Sequence, residues 1–228
     1  MLRAIIFDCD GVIADTEPIH MASLQQVLAE ENIVLTKEEY FQHYLALDDR
    51  ACFTKAFAER GASLSRKELD ELVMRKARQV EPVIRATLQL LPGAAEFIRQ
   101  AASNYPLAVA SGALRCEIDL VLKYGGLRDC FSVIVSAEDV SRSKPDPEPF
   151  IRAWELLKLS TAENLRRHEC LVIEDSIHGV SAARRARMRC LAVTNSYPRE
   201  TLLKADAVVD SLYELRLEDL ESLISPKS

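Results

Sequence analysis

Asp8 and Asp10 are two carboxylates one residue apart, set at the end of an apolar run, Ala4-Ile5-Ile6-Phe7, with Gly11 directly after them. A short apolar run of this kind reads as a buried strand. In open α/β sheets, ligands bind outside the carboxyl ends of the strands. Two acids driven into that edge repel each other unless positive charge joins them, and a hard cation with oxygen ligands would do so.

Later apolar runs end in groups suited to the same chemistry. Pro106-Leu-Ala-Val-Ala-Ser-Gly112 closes in Ser111-Gly112. Phe131-Ser-Val-Ile-Val-Ser136 is followed by a loop holding Ser143-Lys144-Pro145-Asp146. Glu169-Cys-Leu-Val-Ile-Glu-Asp175 ends in two more acids. In order and residue type, Asp8-x-Asp10-Gly11, Ser111, Lys144 and Glu174-Asp175 resemble the four motifs of the haloacid dehalogenase superfamily of phosphotransferases. Asp15-Thr16-Glu17 and Ser143-Lys144-Pro145-Asp146-Pro147 resemble the branch that holds β-phosphoglucomutase and small-metabolite phosphatases.

The resemblance implies a role for each of these residues. Asp8 is the expected nucleophile: attack on phosphorus gives an acyl phosphate that water then cleaves. Asp10 is the expected general acid and base. Magnesium is the expected cofactor, held by Asp8, the backbone carbonyl of Asp10 and Asp175, with Glu174 either a ligand or a support for one. Alone, a strand-end serine would cap a helix; in this setting Ser111, with the Gly112 and Ala113 amides, is read as the phosphate cradle at a helix N-terminus. Lys144 would neutralise charge on the phosphoryl group and on Asp8. Thr16 and His20 lie beside the expected hinge of a lid. Arg50 lies in the stretch Tyr44-Leu-Ala-Leu-Asp-Asp-Arg50, where the branch has its substrate-specificity loop. Its planar fork suits a second phosphate or a sugar oxygen, or an ion pair with Asp48 or Asp49. The mutases carry a Lys-Gly step in that loop; the equivalent positions here are Leu45 and Ala46, which argues against mutase activity.

The elements that must position these groups follow from the pattern of the chain. After the first strand no core run appears until Leu107, and the intervening sequence reads as helices. Glu17-Pro18 opens one of them, with Asp15 or Thr16 as its cap and Leu24, Val27 and Leu28 as its apolar stripe. Thr36-Lys-Glu-Glu39 and Ser65-Arg-Lys-Glu68 read as capping boxes. From Pro92 strands and helices alternate, with strands at 107–111, 132–136, 170–174, 190–194 and 207–209. Such alternation argues a parallel sheet covered by helices. The expected fold is therefore α/β, a Rossmann-like core over 1–14 and 92–228 with a helical cap inserted over 15–91.

Composition narrows the classes of function. The chain has 228 residues, 48% of them hydrophobic, enough for a sizeable core, and a formal net charge of -6. With no basic block, nucleic acid is not an expected partner. Charges interrupt every apolar run well short of the ~18 residues of a membrane span, and the N-terminal run is too short for a signal peptide. The six cysteines show no metal-ligand spacing and read as small buried hydrophobes, which suits a cytoplasmic protein. The expected activity is magnesium-dependent hydrolysis of a small phosphorylated metabolite, a sugar phosphate in the first instance; the sequence leaves the oligomeric state open, a monomer being favoured. The alternatives are a β-phosphoglucomutase-like mutase and a non-catalytic phospholigand-binding protein.

Overall fold

The computed structural model describes residues 1–45, 47–161, 164–213 and 215–224. Two compact units are present, one formed by Met1–Asp15 with Gln89–Ser228 and the other by Thr16–Leu88.

The first unit is built on a six-stranded sheet. Its strands are β1 (Ala4–Phe7), β2 (Leu107–Ala110), β3 (Val133–Val135), β4 (Cys170–Glu174), β5 (Arg189–Val193) and β6 (Ala207–Val209), in the spatial order β3-β2-β1-β4-β5-β6. Every pairing is parallel. The chain runs outward from β1 through β2 to β3, then returns to the other side of β1 for β4. The loops leaving β1 and β4 therefore diverge, and a crevice at this reversal is where such sheets bind ligands.

Strand residues alternate between the two faces. On one face Ala4, Ile6, Ala108, Ala110, Val172, Cys190 and Ala192 belong to a buried cluster with Phe150, Ala153, Leu157, Val180, Ala182 and Ala183. The last six come from the helices α7 (Glu148–Thr161) and α8 (Ile177–Arg185). The other face carries Ile5 and Phe7. The Phe7 ring meets Phe97 and Phe131 edge-on, with centroids 6.2 and 5.7 Å away. Helices α5 (Ala94–Ala102) and α6 (Arg115–Tyr124) follow the unit's re-entry and β2, and the short α9 (Leu220–Ile224) ends the described chain.

The second unit consists of α1 (Glu17–Glu30), α2 (Lys37–His43), α3 (Asp49–Ala58) and α4 (Arg66–Thr87). Leu24, Val27 and Leu28 are buried, as their helical spacing predicts. Both capping boxes form: Thr36 and Ser65 accept from the amides of Glu39 and Glu68, whose carboxylates return the bond. Thr16 precedes α1, but its side chain makes no cap bond, because its backbone is already helical (φ -101°, ψ -9°) rather than extended. Cys9, Cys52, Cys170 and Cys190 are buried; Cys116 is exposed and Cys130 half-buried, against the expectation for all six. Among the described residues, no helix is long and apolar enough to cross a membrane.

Phe7 is fully buried and directly precedes Asp8. Phe7→Ala should destabilise the sheet-bearing unit by about 3–5 kcal/mol, the usual cost of emptying an aromatic site in a core, measured by urea unfolding followed at that unit's transition. A change under about 1 kcal/mol would show that the aromatic contacts contribute little.

Candidate active site

Pairing in the sheet brings the motif residues together. β1 and β4 are neighbours in a register that sets Phe7 opposite Ile173. Each strand then ends in acids, Asp8 after β1 and Glu174-Asp175 at the end of β4. The Asp8 amide continues the ladder, donating to the carbonyl of Ile173 at 2.9 Å. Carboxylate oxygens of Asp8, Glu174 and Asp175 all lie within 4.8 Å of one another, and all three residues are buried.

Among the described residues, Lys144 is the cation that answers this charge. Lys144, in the loop between β3 and α7, places its ammonium 2.9 Å from Asp8 Oδ1 and 2.7 Å from Glu174 Oε1. It also lies 5.0 Å from the centre of the Phe150 ring, on the face that carries negative charge. Asp8 Oδ1 accepts a second bond from the Cys9 amide at 2.8 Å. Both of these bonds fall on Oδ1 and neither uses Oδ2.

Glu174 is bonded on both oxygens. Oε1 takes Lys144, while Oε2 accepts from the Asp175 amide, the Ser176 amide and the Ser176 hydroxyl, each at 2.9 Å. Its nearness to Asp8 and Asp175 makes it a possible cation ligand on distance alone. Its hydrogen bonds give it a second task, holding Lys144 in place. Glu174 therefore anchors Lys144 and stays within reach of a cation shared with Asp8 and Asp175. Helix α8 fits tightly over it: a Cβ added at Gly179 would fall 1.7 Å from Glu174 Oε1.

Ser111 directly follows β2 and is buried. Its hydroxyl donates to Asp10 Oδ2 at 3.2 Å and accepts from the Ala113 amide at 3.1 Å. The carboxylate of Asp10 is not part of the Asp8–Glu174–Asp175 cluster; it is half-buried beside Ser111. The cradle differs in detail from the sequence expectation. α6 begins at Arg115, the Ala113 amide is turned onto Ser111, and the Leu114 amide is held by Glu117 Oε2 at 3.1 Å. Among the described residues no backbone carbonyl accepts from the Gly112 amide, while the Ser111 hydroxyl proton is committed to Asp10.

The other three motif residues belong to the helical unit. Thr16 is buried at the start of α1. His20 Nδ1 lies 2.9 Å from the ammonium of Lys76, which is 1% exposed and is also 2.5 Å from Asp49 Oδ1. Lys76 carries no local signal, since a lysine on a polar helix is ordinarily a solvated residue. Arg50 is on the exposed side of α3, paired with Asp70 of α4 rather than with Asp48 or Asp49. Leu45 precedes Ala46, which lies outside the described residues.

Two residues after β5 also reach the site. Asn195 Nδ2 donates to the Gly11 carbonyl at 2.6 Å, and the Ser196 hydroxyl bonds Asp175 Oδ2. Nothing in their local sequence marks them, because the contacts join loops that are remote in the chain.

Electrostatics follow from one lysine facing three buried acids. Burial, reinforced by Glu174 and Asp10, pushes Asp8 up to about 8 despite Lys144. Burial and the neighbouring Glu174 and Asp8 carry Asp175 well above the usual carboxylate range. Burial also acts on Glu174, but Lys144 and the Ser176 bonds outweigh it and hold that carboxyl below its ordinary value. Lys144 is raised by Asp8 and Glu174 against its own burial. The donors are hard oxygens with charge in excess of Lys144, so the cluster fits a divalent cation; Asp8 and Asp175 would hold it, with Glu174 in reach as a further ligand or a support.

A family model for haloacid dehalogenase-like hydrolases matches residues 5–193, and the chain belongs to that family. It is 31% identical to protein CbbY of Rhodobacter capsulatus over 207 residues, covering 87% of this chain and 88% of the other. It is 29% identical to hexitol phosphatase B of Escherichia coli, covering 96% of each. A crystal structure of β-phosphoglucomutase from Clostridium difficile superposes with a TM-score of 0.86 at 26% identity, over 98% of this chain and 97% of that one.

Protonation of the site should appear in stability. Asp8 and Asp175 titrate higher in the folded protein than in the unfolded chain, so between about pH 4 and pH 8 the folded state binds more protons and loses stability as pH rises. Glu174, lowered, loses its contribution only below its ordinary value of 4.5, and Lys144, raised, only above 10.5, so neither acts in that window. The metal-free protein should therefore melt at a lower temperature at pH 8 than at pH 5.5, and magnesium should raise the melting temperature more at pH 8. Asp8→Asn should flatten this slope; an unchanged slope would show that the cluster does not hold the protons.

Gly179→Ala gives a second check on the same packing. In an ordinary helix the change would be favourable by about 1 kcal/mol. Here it should destabilise the protein and reduce turnover, because the methyl group displaces Glu174 and with it Lys144. A more stable, fully active variant would contradict the observed fit.

Proposed function

We propose that this haloacid dehalogenase-like hydrolase is a magnesium-dependent phosphatase that hydrolyses a small phosphorylated metabolite, a sugar phosphate in the first instance, through an aspartyl-phosphate intermediate. The observation that carries the reading is the setting of Asp8: one oxygen fixed by Lys144 and the Cys9 amide, the other left to attack, with a second acid held close by on Ser111.

In the first step Asp8 Oδ2 bonds to phosphorus as the bond to the leaving oxygen breaks, and Asp10 supplies the proton that the leaving oxygen needs. In the second, Asp10 takes a proton from water while the water oxygen attacks phosphorus, which releases inorganic phosphate and restores Asp8. Lys144 screens the charge on the transferred group. Ser111 and the Gly112 amide orient its oxygens, and Ala113 fixes the Ser111 hydroxyl. A divalent cation held by Asp8 and Asp175, with the Asp10 carbonyl as a third oxygen, would supply further charge neutralisation. Thr16, His20 and Arg50 are the candidates for substrate recognition from the helical unit. Hexitol phosphatase B as a relative supports a phosphorylated small molecule as substrate.

A mutase is the second reading, favoured by the likeness to β-phosphoglucomutase. It needs the phosphoenzyme to outlive its exposure to water until a second sugar phosphate arrives. Leu45 in place of a lysine, and an Arg50 already paired with Asp70, argue for water as the acceptor.

Supplied with a panel of phosphorylated metabolites and magnesium, the wild-type protein should release phosphate, EDTA should stop it, and Asp8→Asn should abolish it while leaving the fold intact. Asp10→Asn should slow it by roughly 10²–10⁴-fold, the worth of general acid–base catalysis. Near-normal turnover by Asp8→Asn would overturn the mechanism. Conversion of β-glucose 1-phosphate to glucose 6-phosphate with negligible phosphate release would replace the phosphatase by the mutase.

A further inference from the structure

We propose that Ser196 is a positioning residue for the carboxylate centre: its hydroxyl commits Oδ2 of Asp175 and so presents the other oxygen to the cation, while Asn195 fixes the turn that carries Asp8 and Asp10. The inference rests on the cation reading given above and extends it to two residues outside the four motifs.

The loop that holds this pair is itself anchored. Thr194 donates its amide to the Val209 carbonyl at 3.1 Å and its hydroxyl to Asp210 at 3.2 Å. Arg199, on the far side of the pair, bonds the Val208 carbonyl at 2.8 Å and Asp210 at 2.7 Å. Residues 194–199 are therefore tied at both ends to the edge strand β6. Sheet order places β5 beside β4, and β4 beside β1. A loop leaving β5 can thus reach over Asp175 to the turn after β1, and Asn195 does so through the Gly11 carbonyl.

Contact at this junction is close enough to exclude a side chain. A Cβ added at Gly11 would fall 1.9 Å from Asp175 Oδ2 and 2.9 Å from Ser196 Oγ, and Gly11 has φ +72°, a conformation that favours glycine. Gly11, Asp175 and Ser196 are thus packed as one body, bonded across three loops. A carboxylate with both oxygens loose can rotate away from an ion. Asp175 has one oxygen committed, so its remaining freedom is small. Partners of this kind behind a ligand are typically worth 10–100-fold in metal affinity.

The test is direct Mn²⁺ binding to the resting protein, followed by the loss of the free-ion electron paramagnetic resonance signal, without substrate or turnover. Wild-type protein should bind, and Asp175→Asn should lose most of the binding. Ser196→Ala should bind about 10–100-fold more weakly, and Ser196→Thr, which keeps the hydroxyl, should stay within about threefold of wild type. Ser196→Cys keeps the volume with only a weak donor, and should follow Ser196→Ala if the alanine variant does not fold. Wild-type affinity in Ser196→Ala or Ser196→Cys, with binding lost in Asp175→Asn, would overturn the positioning role and leave the cation reading intact. So would equal weakening by threonine and alanine. Unchanged binding in Asp175→Asn would overturn the cation reading, and this inference with it.

Discussion

Three carboxylates buried against one lysine are the constraint on which the rest of this structure depends. Moving a charge out of water is expensive, and an unpaired one is the worst case. Asp8, Glu174 and Asp175 share a site in which Lys144 can satisfy two of them. The remaining imbalance has two remedies, a proton or a further cation, and the raised affinity of Asp8 and Asp175 for protons expresses the first. The second is the one the proposed mechanism needs, because a carboxylate attacks only when ionised. A substrate that brings phosphate charge into the same pocket makes the need for added positive charge greater.

The fold meets this constraint by dividing the labour among strand ends. β1 and β4, adjacent and parallel, deliver the acids; the loop after β3 delivers Lys144; the end of β2 delivers Ser111. Close packing then removes freedom from each group. Glu174 spends both oxygens on Lys144 and the first turn of α8, which demands glycine at 179. Asp175 is backed by Ser196 and pressed by Gly11. Asp10 is the exception, half-buried and bonded to Ser111 apart from the cluster, a setting that suits the proton transfers proposed for it.

Much of this was legible in the chain because the relevant signals are local. An apolar run ending in Asp-x-Asp, or in Glu-Asp, states both the strand and the polarity of its end. The capping boxes at Thr36 and Ser65 work through residues three apart and form as read. What the sequence concealed depends on contacts between distant segments. Ser196 and Asn195 sit in an unremarkable polar loop, and only the order of β1, β4 and β5 brings them to Asp175 and Gly11. Lys76 gives the same lesson in the helical unit, where burial between His20 and Asp49 distinguishes it from the solvated lysines around it. The Ala113 amide, expected to face phosphate, is turned onto Ser111, and α6 begins only at Arg115. Arg50 pairs across to Asp70 on another helix, a choice its neighbours Asp48 and Asp49 could not foretell.

The central claim is that the acid cluster exchanges protons for a divalent cation. Calorimetric titration of magnesium into the metal-free protein at pH 6.5, repeated in buffers of different ionisation enthalpy, counts the protons released per ion bound. The charge imbalance around Asp8 and Asp175 predicts binding with release of about one proton or more, because ligand carboxylates must ionise, and a release that falls toward zero as the pH is raised well above 8. Binding with no proton release at pH 6.5 would contradict it, since the carboxylates would then already be ionised and the single lysine would suffice to hold them.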